Sequence, residues 1–129
     1  MEIARSGIIL NTEHYDQCVE FYQTVFGLEV LFQKTEGDFR LTCCAFGGSY
    51  LMIETGGQAK RGGKSIAEGA CKLRFNVADI ELALARLKAL GIDAEIVRND
   101  WGSTINLHDP DGNRIGIRDE AGFIEQMAG

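Results

Sequence analysis

Long apolar runs are missing from this chain, and no stretch approaches the roughly 20 residues that a bilayer-spanning helix needs. The opening Met1-Glu2-Ile3-Ala4-Arg5-Ser6 lacks the apolar stretch of a secretory signal, so a cytoplasmic location is expected. Zinc-type C-x-x-C pairing is absent, although four cysteines are present: Cys18, Cys43, Cys44 and Cys71. Cys43 and Cys44 are adjacent, so in a strand they point to opposite faces. Four buried, reduced thiols are the expectation. Basic residues are in deficit, 13 against 19 acidic, for a formal net charge of −6. That balance repels phosphate backbones and anionic head groups, which argues against nucleic acid and membrane partners but leaves room for local basic patches.

What is present is ordinary for a globular domain: 45% hydrophobic and 25% charged residues, which excludes disordered and fibrous classes. A chain of 129 residues buries roughly two-thirds of its unfolded surface, enough for a core without metal or disulfide.

Residues 3–12 hold a short β-type run. Tyr15, Cys18, Val19, Tyr22, Val25 and Phe26 then fall at helical spacing over 13–26, and Gly27 suits the left-handed residue that ends a helix. Three strands are expected next, Leu28–Lys34, Phe39–Phe46 and Tyr50–Glu54, separated by turns at Gly37-Asp38 and Gly47-Gly48. The same order recurs. Cys71–Val77 alternates like a half-buried strand. Ile80, Ala83, Leu84, Leu87 and Leu90 form an apolar helix stripe, with Asp79 as N-cap and Gly91 as terminator. Strands are expected again at Ile92–Arg98, Ser103–His108 and Asn113–Arg118. Asp109-Pro110-Asp111-Gly112-Asn113 reads as a structural turn, because Pro fixes φ and Gly supplies a positive φ. The pattern is βαβββ twice, about 55 residues each. Between the units lies a glycine-rich stretch beginning at Gly56, a plain connector or a lid over a site.

Two local marks accompany the duplication: Glu20-Phe21-Tyr22 followed by Phe26-Gly27-Leu28-Glu29-Val30, and the run His108-Asp109-Pro110-Asp111-Gly112-Asn113-Arg114-Ile115. Together, in this order, they resemble the vicinal oxygen chelate superfamily over about residues 5–119. That superfamily includes glyoxalase I, bleomycin resistance proteins, fosfomycin-modifying transferases and extradiol dioxygenases. The resemblance implies an α+β fold: two tandem βαβββ units whose curved mixed sheets surround a cavity, helices on the outer face. The implied organisation is one domain over 1–129, with units at 3–55 and 71–119, a linker loop at 56–70 and a tail at 120–129 too short for more than a helical turn.

The resemblance also implies where a divalent metal would be held, at four inward-facing positions on the first and last strands of each unit. These fall on Gly7, Glu54, Lys72 and Gly116. Glycine has no donor and a lysine ammonium no lone pair, so only Glu54 could ligate. His14, at the start of the first helix, and His108, beside the turn, are not brought to Glu54 by any spacing. No metal and no other cofactor is expected.

Alternation along the strands gives a second set of candidates. If Glu54 and Lys72 face the cavity, so do Tyr50, Met52, Arg74 and Asn76, with Leu51, Ile53, Leu73, Phe75 and Val77 on the helix side. Arg114 and Arg118 share a face with Gly116, and Asn106 shares one with His108. The concave face therefore reads as polar and rather basic. Lys72 is expected to pair with Glu54 where the metal would be. Glu54 is the candidate catalytic residue, a general base if desolvated. Trp101 and Tyr50 could stack on a flat ligand, or serve as half-buried aromatics. Arg74, Arg114 and Arg118 could grip a carboxylate or phosphate, or pair with acidic side chains between strands. Tyr50, Met52, Glu54, Lys72, Arg74, Trp101, Asn106, Arg114 and Arg118 make up the candidate ligand-binding set.

The leading expectation is a metal-free member of the superfamily that binds an anionic or neutral small molecule. It resembles the bleomycin-resistance branch, with a role in resistance or sequestration. The resemblance implies a homodimer, and exposed sheet edges give a physical reason. The alternatives are a metal-dependent lyase, isomerase or dioxygenase, a metal-free enzyme using Glu54, and an interaction module whose concave face is filled by its own side chains.

Overall fold

Gly7–Thr12 form the first strand, β1, of a computed structural model that describes residues 1–129. The chain divides into two units, Met1–Arg61 and Gly62–Gly129. In the first, β1 leads to helix α1 (Tyr15–Phe26), then strands β2 (Val30–Glu36), β3 (Phe39–Phe46) and β4 (Ser49–Thr55). The sheet order is β1-β4-β3-β2, with β1 parallel to β4 and the other pairs antiparallel. Tyr15, Cys18, Val19 and Tyr22 are the buried stripe of α1. They meet a sheet face on which Leu51 and Ile53 have no exposed surface. Thr42 and Cys44 pair with Ile53 and Leu51 across β3 and β4, so the same face continues into β3. The Tyr15 hydroxyl bonds to that of Thr42, tying the start of α1 to the middle of the sheet.

The second unit repeats this plan. Strand β5 (Leu73–Val77) leads to helix α2 (Ile80–Ala89), then strands β6 (Ile96–Asn99), β7 (Gly102–His108) and β8 (Arg114–Asp119). The order β5-β8-β7-β6, with β5 parallel to β8, copies the first sheet. Asp79 caps α2 by accepting from the backbone N–H groups of Glu81 and Leu82. Ile105, Ile115 and Ile117 are the buried face under α2.

Three expectations about element ends are corrected, each for a local reason. The strands expected from Leu28 and Ile92 begin at Val30 and Ile96. Both leading residues are used in helix termination instead. The Leu28 N–H bonds to the Tyr22 carbonyl and the Ile92 N–H to the Leu87 carbonyl. Left-handed Gly27 and Gly91, at φ 64° and 77°, make that reversal sterically free. The tail is not irregular: Glu120–Ala128 form a third helix, α3. Asp119 starts it by accepting from the Gly122 N–H, while its other oxygen accepts from Ser103.

The glycine-rich stretch is tethered at both ends. Gly57 donates to the Thr12 carbonyl and Ala59 to the Glu13 carboxylate in the first unit. Lys64 donates through its backbone to Gly112 and through Nζ to Asn113 in the second. The turn it docks on is knit by Asp109, whose carboxylate accepts from the backbones of Asp111 and Asn113 and the Asn113 amide. Cys18, Cys43 and Cys44 are buried and form no disulfide. Cys71 is exposed, against expectation, because the strand begins only at Leu73. No helix is long and apolar enough to cross a membrane.

Candidate functional site

Each sheet has one face under its own helix and one face away from it. In the first unit the second face carries Gly7, Ile9 and Asn11 of β1, in register with Tyr50, Met52 and Glu54 of β4. Cys43 and Ala45 of β3 continue it, paired with Met52 and Tyr50. A cavity of about 410 Å³ opens on this face, lined by Tyr50, Met52, Cys43, Ala45, Phe32 and Leu31, with Arg5 at its edge. Neighbouring strand residues ordinarily point to opposite faces. Leu31 and Phe32 both reach the cavity because the β2–β3 register slips between Val30 and Phe32. The walls are mostly apolar; Ser49, the Tyr50 hydroxyl and the Arg5 guanidinium are the polar side chains in the lining. Burial pushes the Cys43 thiol up, partly offset by Arg5, so the thiol behaves as a small apolar group.

The expected polar, basic character therefore does not hold for this sheet, and Tyr50 and Met52 are the candidates that line its cavity. Glu54 is half-buried further along β4, beside Asn11 and Leu41. Leu31, Phe32, Cys43 and Arg5 were not among the candidates. A bulge leaves no mark in the alternation pattern, and the adjacent Cys43 and Cys44 of β3 do not mark which face lines a cavity.

The basic character resides in the second unit. Lys72, Arg74, Asn106 and Arg118 gather around Gly116. A Cβ built on Gly116 would stand 3.1 Å from Arg74 Nε and 3.6 Å from Lys72 Nζ. Lys72 Nζ donates to Asn106 Oδ1 at 2.8 Å, its partner within this unit; the expected pair with Glu54 would join the two units. Burial first, then the charges of Arg74 and Arg114, pulls the Lys72 ammonium below its ordinary range. Burial and Arg118 do the same to Arg74.

Arg118 is only 4% exposed. Its terminal nitrogens donate to the Trp101 carbonyl and to Gln126 of α3, and its guanidinium lies between the rings of Trp101 and Phe123, 5.0 and 5.2 Å from their centroids. Arg114 donates to the carbonyls of Gly69 and Ala70. Neither arginine pairs with an acid in these bonds; backbone carbonyls and an amide take that place. Trp101 is 42% exposed, with the Arg74 guanidinium 6.0 Å from its centre. Helix α3 thus packs over part of the face that carries Arg118, a role no signal in residues 120–129 indicated.

The residues at the implied metal positions do not fit a metal. A Cβ added to Gly7 would stand 2.3–2.5 Å from three carbons of the Tyr50 ring, so no donor can project from there without displacing that ring. The space over Gly116 is taken by two cations. No three His, Cys, Asp or Glu side chains converge as a metal-holding group. His14 lies beside Glu13 at the start of α1, and the His108 ring packs on Gly63.

A family model for the Glyoxalase/Bleomycin resistance protein/Dioxygenase superfamily matches residues 6–117. No curated protein sequence matches. Among solved structures, a variant of the fosfomycin resistance protein FosX from Listeria monocytogenes, complexed with Mn(II) and 1S,2S-dihydroxypropylphosphonic acid, aligns at 19% identity. The alignment covers 100% of both chains with a TM-score of 0.76. A lactoylglutathione lyase from Agrobacterium tumefaciens aligns at 22% identity over 92% of this chain and 95% of that one, TM-score 0.69. TnmS3, an antibiotic binding protein from a Streptomyces species, aligns at 20% over 92% and 98%, TM-score 0.68. At these identities the likeness is one of fold.

Proposed function

This chain belongs to the Glyoxalase/Bleomycin resistance protein/Dioxygenase superfamily, and on that premise we propose that it binds a small organic molecule without a metal, in a resistance or sequestration role. The observation that carries the reading is the cavity of about 410 Å³ on the first sheet, within the size range of small-molecule sites. Its mostly apolar walls suit the apolar body of a ligand, and the Arg5 guanidinium and Tyr50 hydroxyl can orient a polar group. Tyr50 and Met52 are the proposed contacts there, and Glu54 is the nearest carboxylate along the same strand.

Lys72, Arg74, Trp101 and Asn106 are proposed as further ligand contacts in the second unit. Arg114 and Arg118 reach a ligand only by giving up the bonds they already make. A homodimer accompanies the reading: edge strands β1 and β2 expose Ile9, Leu31 and Phe32 at 50% or more, surface that a second copy would cover. Three buried thiols outside any disulfide suit a reducing compartment such as the cytoplasm.

The test has two arms. Protein purified without chelator and then incubated with Zn, Ni, Mn and Fe salts is assayed for metal, and well under one equivalent is expected. A compound library is then screened by thermal shift, where a ligand at 100 times its Kd adds ~2.7 kcal/mol. Hits should lose their effect in Met52→Trp, which fills the cavity. One bound metal per chain would hand the lead to the metal-dependent enzyme, and a library without hits to a face filled by its own side chains.

A further inference from the structure

Two cations crowd one point of the second sheet. Arg74 Nε and Lys72 Nζ stand 3.1 and 3.6 Å from the place a Cβ on Gly116 would occupy. Within their unit neither meets a carboxylate. Lys72 is held by the neutral Asn106 amide, and Arg74 lies against Trp101. Like charges this close repel: burial first, then the charges of Arg74 and Arg114, holds Lys72 below its ordinary range, and burial with Arg118 does the same to Arg74. The net charge of −6 means that carboxylates were plentiful for neutralising this pair. The missing side chain at Gly116 matters as well. Any larger residue would fill the notch between the two heads.

We propose that Lys72 and Arg74, converging over Gly116, form a receptor for a dianionic oxyanion head group, a phosphate monoester or a phosphonate. Two positive heads match two negative charges. The flat guanidinium offers paired N–H donors to two oxygens, and the ammonium supplies a point charge beside it. Asn106 holds the ammonium in place and can turn to present its amide N–H to a third oxygen. Trp101 walls the notch on the Arg74 side and is the only tryptophan, so its emission reports on the site. Lys72 stands at one of the positions where the resemblance places ligands for a metal, and Arg74 is the register partner of another, Gly116; together they supply positive charge there by another route. The inference deepens the proposed binding role by naming a ligand class, and it does not depend on the cavity of the first unit.

The experiment titrates the full chain with inorganic phosphate near pH 8, against sodium chloride at matched ionic strength. Tm and Trp101 fluorescence are the readouts. Phosphate should raise Tm by several degrees and shift the emission saturably, while chloride does neither. Lys72→Met and Arg74→Gln should each weaken phosphate binding at least tenfold. Lys88→Met, which removes an exposed cation of α2, should leave it unchanged. Circular dichroism establishes that each variant is folded, and Lys72→Gln replaces Lys72→Met if that one is not. A chloride response equal to that of phosphate, or phosphate binding retained in both site variants, overturns the proposal. Organic hits that bind while phosphate does not would remove this inference alone. Phosphate binding without any organic hit would remove the first-unit cavity alone.

Discussion

The ring of Tyr50 lies over Gly7. The two residues are register partners across β4 and β1, and a Cβ on Gly7 would stand only 2.3–2.5 Å from three carbons of the ring. The tyrosine can take this position, at the wall of the first-unit cavity, only because its partner has no side chain. Gly7→Ala should therefore cost about 1–3 kcal/mol, the usual penalty for overpacking. In a Tyr50→Ala background the same change should cost close to nothing. A double-mutant cycle by denaturant unfolding measures the coupling, and additive effects would show that the ring moves aside freely.

Asp119 joins β8 to α3 and to the start of β7. The N–H of Ser103 is the main cause that holds its carboxyl below the ordinary value of 3.8, opposed by desolvation and helped by the Gly122 N–H and Arg118. A carboxyl depressed in the folded state contributes stability above its unfolded pKa, and that contribution is lost as pH falls through the folded value. Wild type should thus lose more stability between about pH 5 and pH 2 than Asp119→Asn does. Asp119→Ala removes the cap as well and should cost about 1 kcal/mol at neutral pH. Equal acid sensitivity in wild type and Asp119→Asn would contradict this assignment.

Lys72 has the opposite sign. Its folded value is lowered by burial, then by Arg74 and Arg114, so the folded chain holds this proton less tightly than the unfolded one. The charged form costs stability at neutral pH, and the cost is relieved as pH rises through the folded value towards 10.5. Lys72→Met should be more stable than wild type at neutral pH, and the gap should narrow in alkali. Unfolding curves at several pH values check this. A gap that widens in alkali would reverse the sign.

Gln126 accepts from Arg118 Nη1 at 2.9 Å in a place where the arginine is almost wholly buried. Gln126→Leu leaves that donor without its partner and should cost about 1–3 kcal/mol. Because Arg118 also lies on Trp101, the same change should alter the tryptophan emission. An unchanged spectrum and unchanged stability would mean that α3 does not hold the arginine in solution.

Removing core volume tests the plan of the sheet itself. Ile53 and Leu51 have no exposed surface. Leu51→Ala should cost about 2–5 kcal/mol, whereas truncation of exposed Ile9 should cost far less.

The duplicated βαβββ order is legible along the chain, because hydrophobic periods of 3.6 and 2 and the glycine stops are local signals. The stripe from Tyr15 to Tyr22, the cap at Asp79 and the faces of Leu51 and Ile53 could all be read residue by residue. That Gly7, Lys72 and Gly116 offer a metal nothing is equally legible, because it follows from side-chain chemistry alone. Tertiary structure decided the rest. Leu28 and Ile92 read as strand residues, but their N–H groups close the preceding helices. The slip at Leu31 turns two consecutive side chains into one cavity, and a register shift depends on the partner strand. The tail becomes a helix where Arg118 and Asp119 of β8 meet Ser103 of β7 and Gln126 of the tail itself. The division of the candidate site into an apolar face on one sheet and a cationic notch on the other is likewise tertiary. It depends on which side chains become neighbours across strands, and no period within a single strand encodes that.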